Sequence, residues 1–204
     1  LLLLHSFEFD AARESFRAAQ ARDPVFVMAY WGEALSHNRP IWGEQDLEAA
    51  RVVLQHLGPT REARLAKAAT ERERGYLASV EALYGDGTKV ERDASFNRAL
   101  GELARQFPED LDARSFHALS WLGLSGSTRD TANYMRAAAE AEAVYERLLA
   151  RWPEVDSGRV GVWGYSGGVS MGLNALFRYP DLYRTAIAIA AGATSPSAAC
   201  SCAR

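Results

Sequence analysis

At 204 residues, with 48% apolar and 24% charged side chains, the chain has the size and composition of a protein that buries a core. A formal net charge of −3 gives no electrostatic footprint for nucleic acid. No run is long and apolar enough to cross a membrane: residues 1–4 are all leucine, but His5 and Glu8 follow at once, too soon for a span or a signal-peptide core.

Residues 1–9 read as the end of an opening helix. The chain does not begin with methionine, so we expect a true start upstream, and the compartment stays open between cytoplasm and periplasm. Residues 10–22, within DAARESFRAAQARDP, read as the partner helix. Its apolar face is Ala12, Phe16 and Ala19, four and three residues apart, and Pro24 stops it by lacking an N–H. A helix over about 25–37 then pairs with one over about 46–57, for which Asp46 is the expected N-cap. Thr60 opens a short helical stretch. Thr70 with Glu73 three residues on is a capping-box pattern, starting a helix that carries Tyr76, Val80 and Leu83 and ends at the GDG of 85–87. Helices at about 90–106, 110–122 and 130–151 follow.

The small-large pattern before Pro24 recurs. Counting back from Pro153, the equivalent positions are Ala141, Tyr145 and Leu148; from Pro108 they are Phe96, Leu100 and Leu103; and Ala50 with Leu54 make a partial fourth copy. Recurring amphipathic helices that cannot bury their own faces predict stacked helical hairpins. The small residue, the aromatic four later and the proline twelve later resemble the second helix of a tetratricopeptide repeat. VFVMAYWGEALSHN, with Trp31 and Gly32 where two helices touch, resembles the first helix of the next. Over residues 1–153 the chain thus resembles a divergent bacterial tetratricopeptide-repeat protein, with RPIWGEQ and TREARLAKAATERERG as insertions. The resemblance implies a concave groove that holds a peptide or protein partner, lined by Glu33, Ser36 and His37 and, in the later unit, by Ala113, His117 and Ser120. The plainer reading makes Glu33 and His37 a solvated i,i+4 pair and His117 a satisfied, half-buried histidine. Oligomeric state is not readable from the sequence.

After Pro153 the text changes to RVGVWGYSGGVSMGLNALFRYPDLYRTAIAIAAGA. Residues 159–163 read as a buried strand, 164–168 as a G-x-S-x-G turn, the run through Met171, Leu173, Leu176 and Phe177 as a helix, and 185–191 as a second strand. Strand, tight glycine turn, helix, strand is the setting of a nucleophile elbow. Residues 155–193 resemble the nucleophile segment of the prolyl oligopeptidase family of α/β-hydrolases. That resemblance implies Ser166 as nucleophile, the Gly167 N–H as an oxyanion donor, and Gly164, Tyr165 and Gly168 as the rest of the elbow. The family often carries tyrosine where this chain has Gly167. It also places an acid and then a histidine after the serine, whereas here Asp181 is the only carboxylate beyond Ser166 and all four histidines, His5, His37, His56 and His117, precede it. A serine hydroxyl without a base is a poor nucleophile.

The fold class expected is therefore mainly α: tetratricopeptide-like antiparallel helical hairpins (an α-solenoid) over 1–153, a short β-α-β fragment of an α/β-hydrolase over 154–193, and a disordered tail over 194–204. The expected activity is that of a protein- or peptide-binding scaffold carrying an incomplete, inactive serine-hydrolase segment. The alternatives are a serine peptidase using Ser166, and a chimeric or truncated reading frame joined near 153–157. No cofactor or metal is expected, since Cys200 and Cys202 sit one residue apart with no further ligand at metal-site spacing.

Overall fold

The computed structural model describes residues 1–125, 130–154, 156, 160–165, 177 and 183–189. It is mainly helical. The chain divides into two compact units, Leu1–Tyr145 and Glu146–Arg204.

In the first unit, α1 (Leu2–His5) is a single turn and α2 (Phe9–Arg22) ends just before Pro24. Then come α3 (Val27–Leu35), a small hairpin of β1 (Asn38–Arg39) and β2 (Glu44–Gln45), and α4 (Leu47–Leu57). After these run α5 (Arg61–Leu65), α6 (Glu71–Leu83), α7 (Lys89–Gln106) and α8 (Leu111–Ser125), and then α9 (Thr131–Arg151), whose last six residues are counted in the second unit.

Local chemistry sets the helix starts. The Asp46 carboxylate accepts from the Ala49 N–H and Thr60 from Ala63, while Thr70 with Glu73 and Thr88 with Glu91 form full capping boxes. Asp110 accepts from the Ala113 N–H at the head of α8, and from Tyr76 Oη and Arg72 Nε, so one carboxylate ties α6 to the start of α8.

Packing follows the chain. Helix α3 lies against α2, α4 and α6; α6 packs on α7, and α7 on α8. Close approach depends on residues without side chains. A Cβ on Gly32 of α3 would fall inside the Phe16 ring of α2, and one on Gly75 of α6 would lie 2.5 Å from Leu103 Cδ1 of α7. Trp31, fully buried, donates its indole N–H to Ser79 and meets Tyr76 and Phe116 edge-on at ring distances of 4.8 and 5.2 Å. One hydrophobic cluster, running in sequence from Leu4 to Phe116, takes in α1 to α4 and α6 to α8. Fully buried leucines at 57, 77, 83 and 100 fill it. Helix α9 meets α8 through long side chains: Arg136 lies over the Trp121 ring and Glu140 faces His117.

In the second unit, β3 (Val160–Tyr165) pairs parallel with β4 (Tyr183–Ile189), with Trp163 opposite Ile187, Tyr165 opposite Ile189 and an irregularity between Val160 and Gly161. Parallel neighbours require a crossover connection, and Phe177, between the two strands in sequence, is helical.

Candidate functional site

Glu33 on α3 is 4% exposed and accepts from Arg17 Nε and Gln20 Nε2 of α2, each at 2.6 Å. It thus serves the α2–α3 interface and makes no pair with His37. The Ser36 hydroxyl is fully buried and donates back to the Gly32 carbonyl at 2.7 Å. Ala113 is buried against its neighbours, and Ser120 accepts from Asn97 Nδ2 at 2.8 Å across α7 and α8. The structure does not bring the Glu33 and Ser36 side chains to an open surface. The i,i+3/i+4 spacing placed them on one helix face, and α2 covers that face.

His117 is half-buried between α8 and α9. Its Nδ1 lies 2.8 Å from Glu140 Oε2, outside hydrogen-bond alignment, and its ring tilts against Trp121 at 5.6 Å. This is the arrangement of a histidine filling a helix interface. His37 is half-buried and its Nε2 is enclosed without a hydrogen-bond partner. Burial first, and then the neighbouring Arg13 cation, push its pKa below the ordinary histidine value, with Asp46 and Glu33 opposing. It borders an open depression of about 680 Å³ that also takes in Arg13, Arg39, Asp46 and Glu48, charges of both signs.

Ser166, Gly167 and Gly168, the serine turn and its oxyanion donor, lie outside the described residues, as does Asp181. Gly164 and Tyr165 close β3, so the strand runs up to the residue before Ser166. The second β-strand expected at 185–191 starts two residues earlier, at Tyr183. Among the described residues, no group of three or more His, Cys, Asp or Glu could hold a metal ion.

The surface feature that motif reading passed over is the β1–β2 hairpin. Its strands pair Asn38 with Gln45 and Arg39 with Glu44, and Gly43 takes a left-handed φ of +69° to close the loop. Its base is tied to α7 by one hydrogen bond and closed across its own strands by another. Arg92, itself buried, donates to Gln45 Oε1 at 2.8 Å, and Gln45 Nε2 donates to Asn38 Oδ1 at 3.3 Å. Above this base Ile41 and Trp42 are 51% and 56% exposed, in a loop where polar side chains would ordinarily sit. Trp42 meets Phe7 and Phe9 edge-on, and Val90 of α7 is 76% exposed beside it. Ile41, Trp42, Val90 and Leu124 wall a groove of about 350 Å³ whose polar edge is the Lys89–Asp93 pair, 2.6 Å apart. Ile41, Trp42 and Val90 thus expose large apolar side chains around one groove. The sequence signal for it was RPIWGEQ itself: isoleucine and tryptophan inside a Pro/Gly-bounded loop.

Compared with protein-family models, curated proteins and solved structures, the chain matches none. No helix among the described residues is long and apolar enough to cross a membrane.

Proposed function

We propose that the chain is a scaffold of helical hairpins, of the tetratricopeptide type, that binds a peptide or protein partner through the Ile41–Trp42 hairpin and the groove beside it. The observation that carries this reading is the exposure of Ile41, Trp42 and Val90 around one groove. Support for the repeat architecture comes from the neighbour order, α3 against α2, α4 and α6, and from the repeated glycine-to-large contact at Gly32–Phe16 and Gly75–Leu103. Replacing Ile41 and Trp42 by serine removes apolar area without touching the Arg92 anchor. The double variant is expected to keep the wild-type helical circular dichroism and to lose the proteins that immobilised wild-type chain retains. Retention of the same proteins by both would overturn the reading.

A second reading rests on a specific observation: β3, ending at the residue before Ser166, runs parallel to β4, the strand–crossover–strand order that a nucleophile elbow occupies. On that reading the chain is a serine hydrolase of prolyl oligopeptidase type with Ser166 as nucleophile. Within the given sequence all four histidines precede the serine, whereas a hydrolase of that type takes its base from a histidine after it. A fluorophosphonate probe decides it. Labelling of wild type that vanishes in Ser166→Ala supports the hydrolase, and an unlabelled, folded wild type removes it.

A further inference from the structure

We infer that Arg92 is the positioning residue of the Ile41–Trp42 surface: its buried guanidinium sets the hairpin wall of the groove against the α7 wall without itself lining the groove. Ile41 and Trp42 form the one wall, and Lys89 and Val90, a turn away from Arg92 on α7, belong to the other. Arg92 is 8% exposed, and its three nitrogens reach three different segments. Nε donates to the Leu83 carbonyl at 3.1 Å, Nη1 to the Gly87 carbonyl at 2.6 Å and Nη2 to Gln45 Oε1 at 2.8 Å. Gln45 in turn donates to Asn38, buried on the other strand. Leu83 is the last residue of α6, so its carbonyl is one that the helix leaves unpaired. The carbonyls after it, of Tyr84 and Gly85, are taken by Arg51 of α4 at 2.9 and 2.7 Å. Two arginines thus grip the end of α6 and the turn into α7, and of the two it is Arg92 that reaches the hairpin.

Stability alone would not select an arginine here. Its three acceptors are all uncharged, so the desolvation of a buried cation is offset by dipoles and not by a carboxylate. What the guanidinium supplies is shape. Its N–H groups point in directions fixed relative to one another, so acceptors bonded to it take fixed positions relative to one another as well. An ammonium on a flexible stem imposes no such constraint. Two of the acceptors are backbone carbonyls at the α6–α7 junction, and the third belongs to the hairpin. The hairpin has little of its own to hold it in one orientation. Its strands are two residues each, and its backbone is closed by the Trp42 N–H on the Arg39 carbonyl at 3.0 Å and the Asp46 N–H on the His37 carbonyl at 2.9 Å. A two-stranded hairpin is marginal by itself in water. Trp42 leans edge-on against Phe7 and Phe9 at the tip, while the directional tie from α7 is at the base.

This inference rests on the scaffold reading for the use of the surface, but the two fail separately, because its test reads the hairpin with no partner present. Amide hydrogen exchange at Trp42 and Asp46 is followed by NMR on the full chain. Gln45→Leu removes the hairpin's acceptor and leaves the Leu83 and Gly87 ties in place. Gln45→Glu keeps an acceptor for the guanidinium and gives up the donor to Asn38. Arg92→Lys keeps the charge and loses the fork. Gln45→Leu and Arg92→Lys are each expected to speed exchange at the two amides by about tenfold or more, and Gln45→Glu to hold it near the wild-type rate. The urea midpoint of the helical circular dichroism is expected to be the same in wild type and both Gln45 variants, which separates placement of the hairpin from stability of the helices. Arg51→Ala, which frees two carbonyls of the same junction and no hairpin acceptor, is expected to leave both amides unchanged. Wild-type exchange in Gln45→Leu overturns the inference. So does exchange in Gln45→Glu as fast as in Gln45→Leu, which would place the hold in the Gln45–Asn38 bond. A lowered urea midpoint in Gln45→Leu, or a hairpin loosened equally by Arg51→Ala, overturns it too.

Discussion

Gly32 shows how much one residue controls in this fold. It lies where α3 crosses α2, and the Phe16 ring occupies the volume a Cβ would need. Trp31, one position earlier, faces α6 and α8 instead, where it is fully buried against Tyr76, Ser79 and Phe116. Gly32→Ala is therefore an overpacking substitution, expected to cost about 1–3 kcal/mol even though alanine is the better helix former. Chemical denaturation of the variant measures the loss. Phe16→Leu, which shortens the ring that the new methyl would strike, is expected to recover a large part of it when the two are combined, a coupling that a double-mutant cycle reads directly. If Gly32→Ala left the midpoint unchanged, the ring would be moving freely and the crossing would not be set by it.

At the scale of elements, the start of α7 is held by Thr88 and Glu91. Thr88 Oγ1 accepts from the Glu91 N–H, and Glu91 Oε2 accepts from both the Thr88 N–H and its hydroxyl. Those two hydrogen bonds, the backbone one first, hold the Glu91 carboxyl below its ordinary value of 4.5. A carboxyl whose folded pKa is depressed contributes stability that is fully present above its unfolded value and is lost as pH falls through the folded one. The contribution is thus expected to stand above about pH 4.5 and to disappear in the acid range beneath it. Glu91→Gln should make stability less dependent on pH in that window, measured by urea midpoints at successive pH values. Thr88→Ala should cost about 1 kcal/mol at neutral pH. The element starts were the most legible part of the sequence, because a cap is a contact between residues three apart: Asp46 and the Thr70–Glu73 pair could be named before any fold was known. TKVE at 88–91 carried the same signature as Thr70–Glu73 and could have been read in the same way. Glu33 was not legible in that sense. Its two partners, Arg17 and Gln20, sit on another helix, and periodicity tells which face a residue is on without telling whether a neighbour covers it.

For the whole molecule, the same distinction between local and distant information explains what the sequence could carry. The mainly helical character and the helix order follow from spacing and breakers within single segments. The return of residues 2–9 to α8 joins positions more than a hundred apart, and no periodicity encodes it. The change of language after Pro153 was visible, and β3 and β4 fall where the apolar runs stand, while the serine turn between them lies outside the described residues. The hydrophobic cluster bears on how the chain folds. Its members run from Leu4 to Phe116, and the buried apolar residues described after it, Ala118, Ala137 and Val144, also belong to the first unit. A chain ending at residue 153 keeps all of them and the whole of α9. It is expected to unfold cooperatively, with a thermal midpoint within about 3 °C of the helical transition of the full chain, since for a protein of this size 1 kcal/mol moves the midpoint by about 2–4 °C. Circular dichroism at 222 nm during heating compares the two. A fall of ten degrees or more on truncation would mean that residues 154–204 supply several kcal/mol to the helical unit, and the sequence break at Pro153 would then not be a boundary of stability. An unchanged midpoint would make the helices a self-sufficient body, as a scaffold that presents its hairpin to a partner requires.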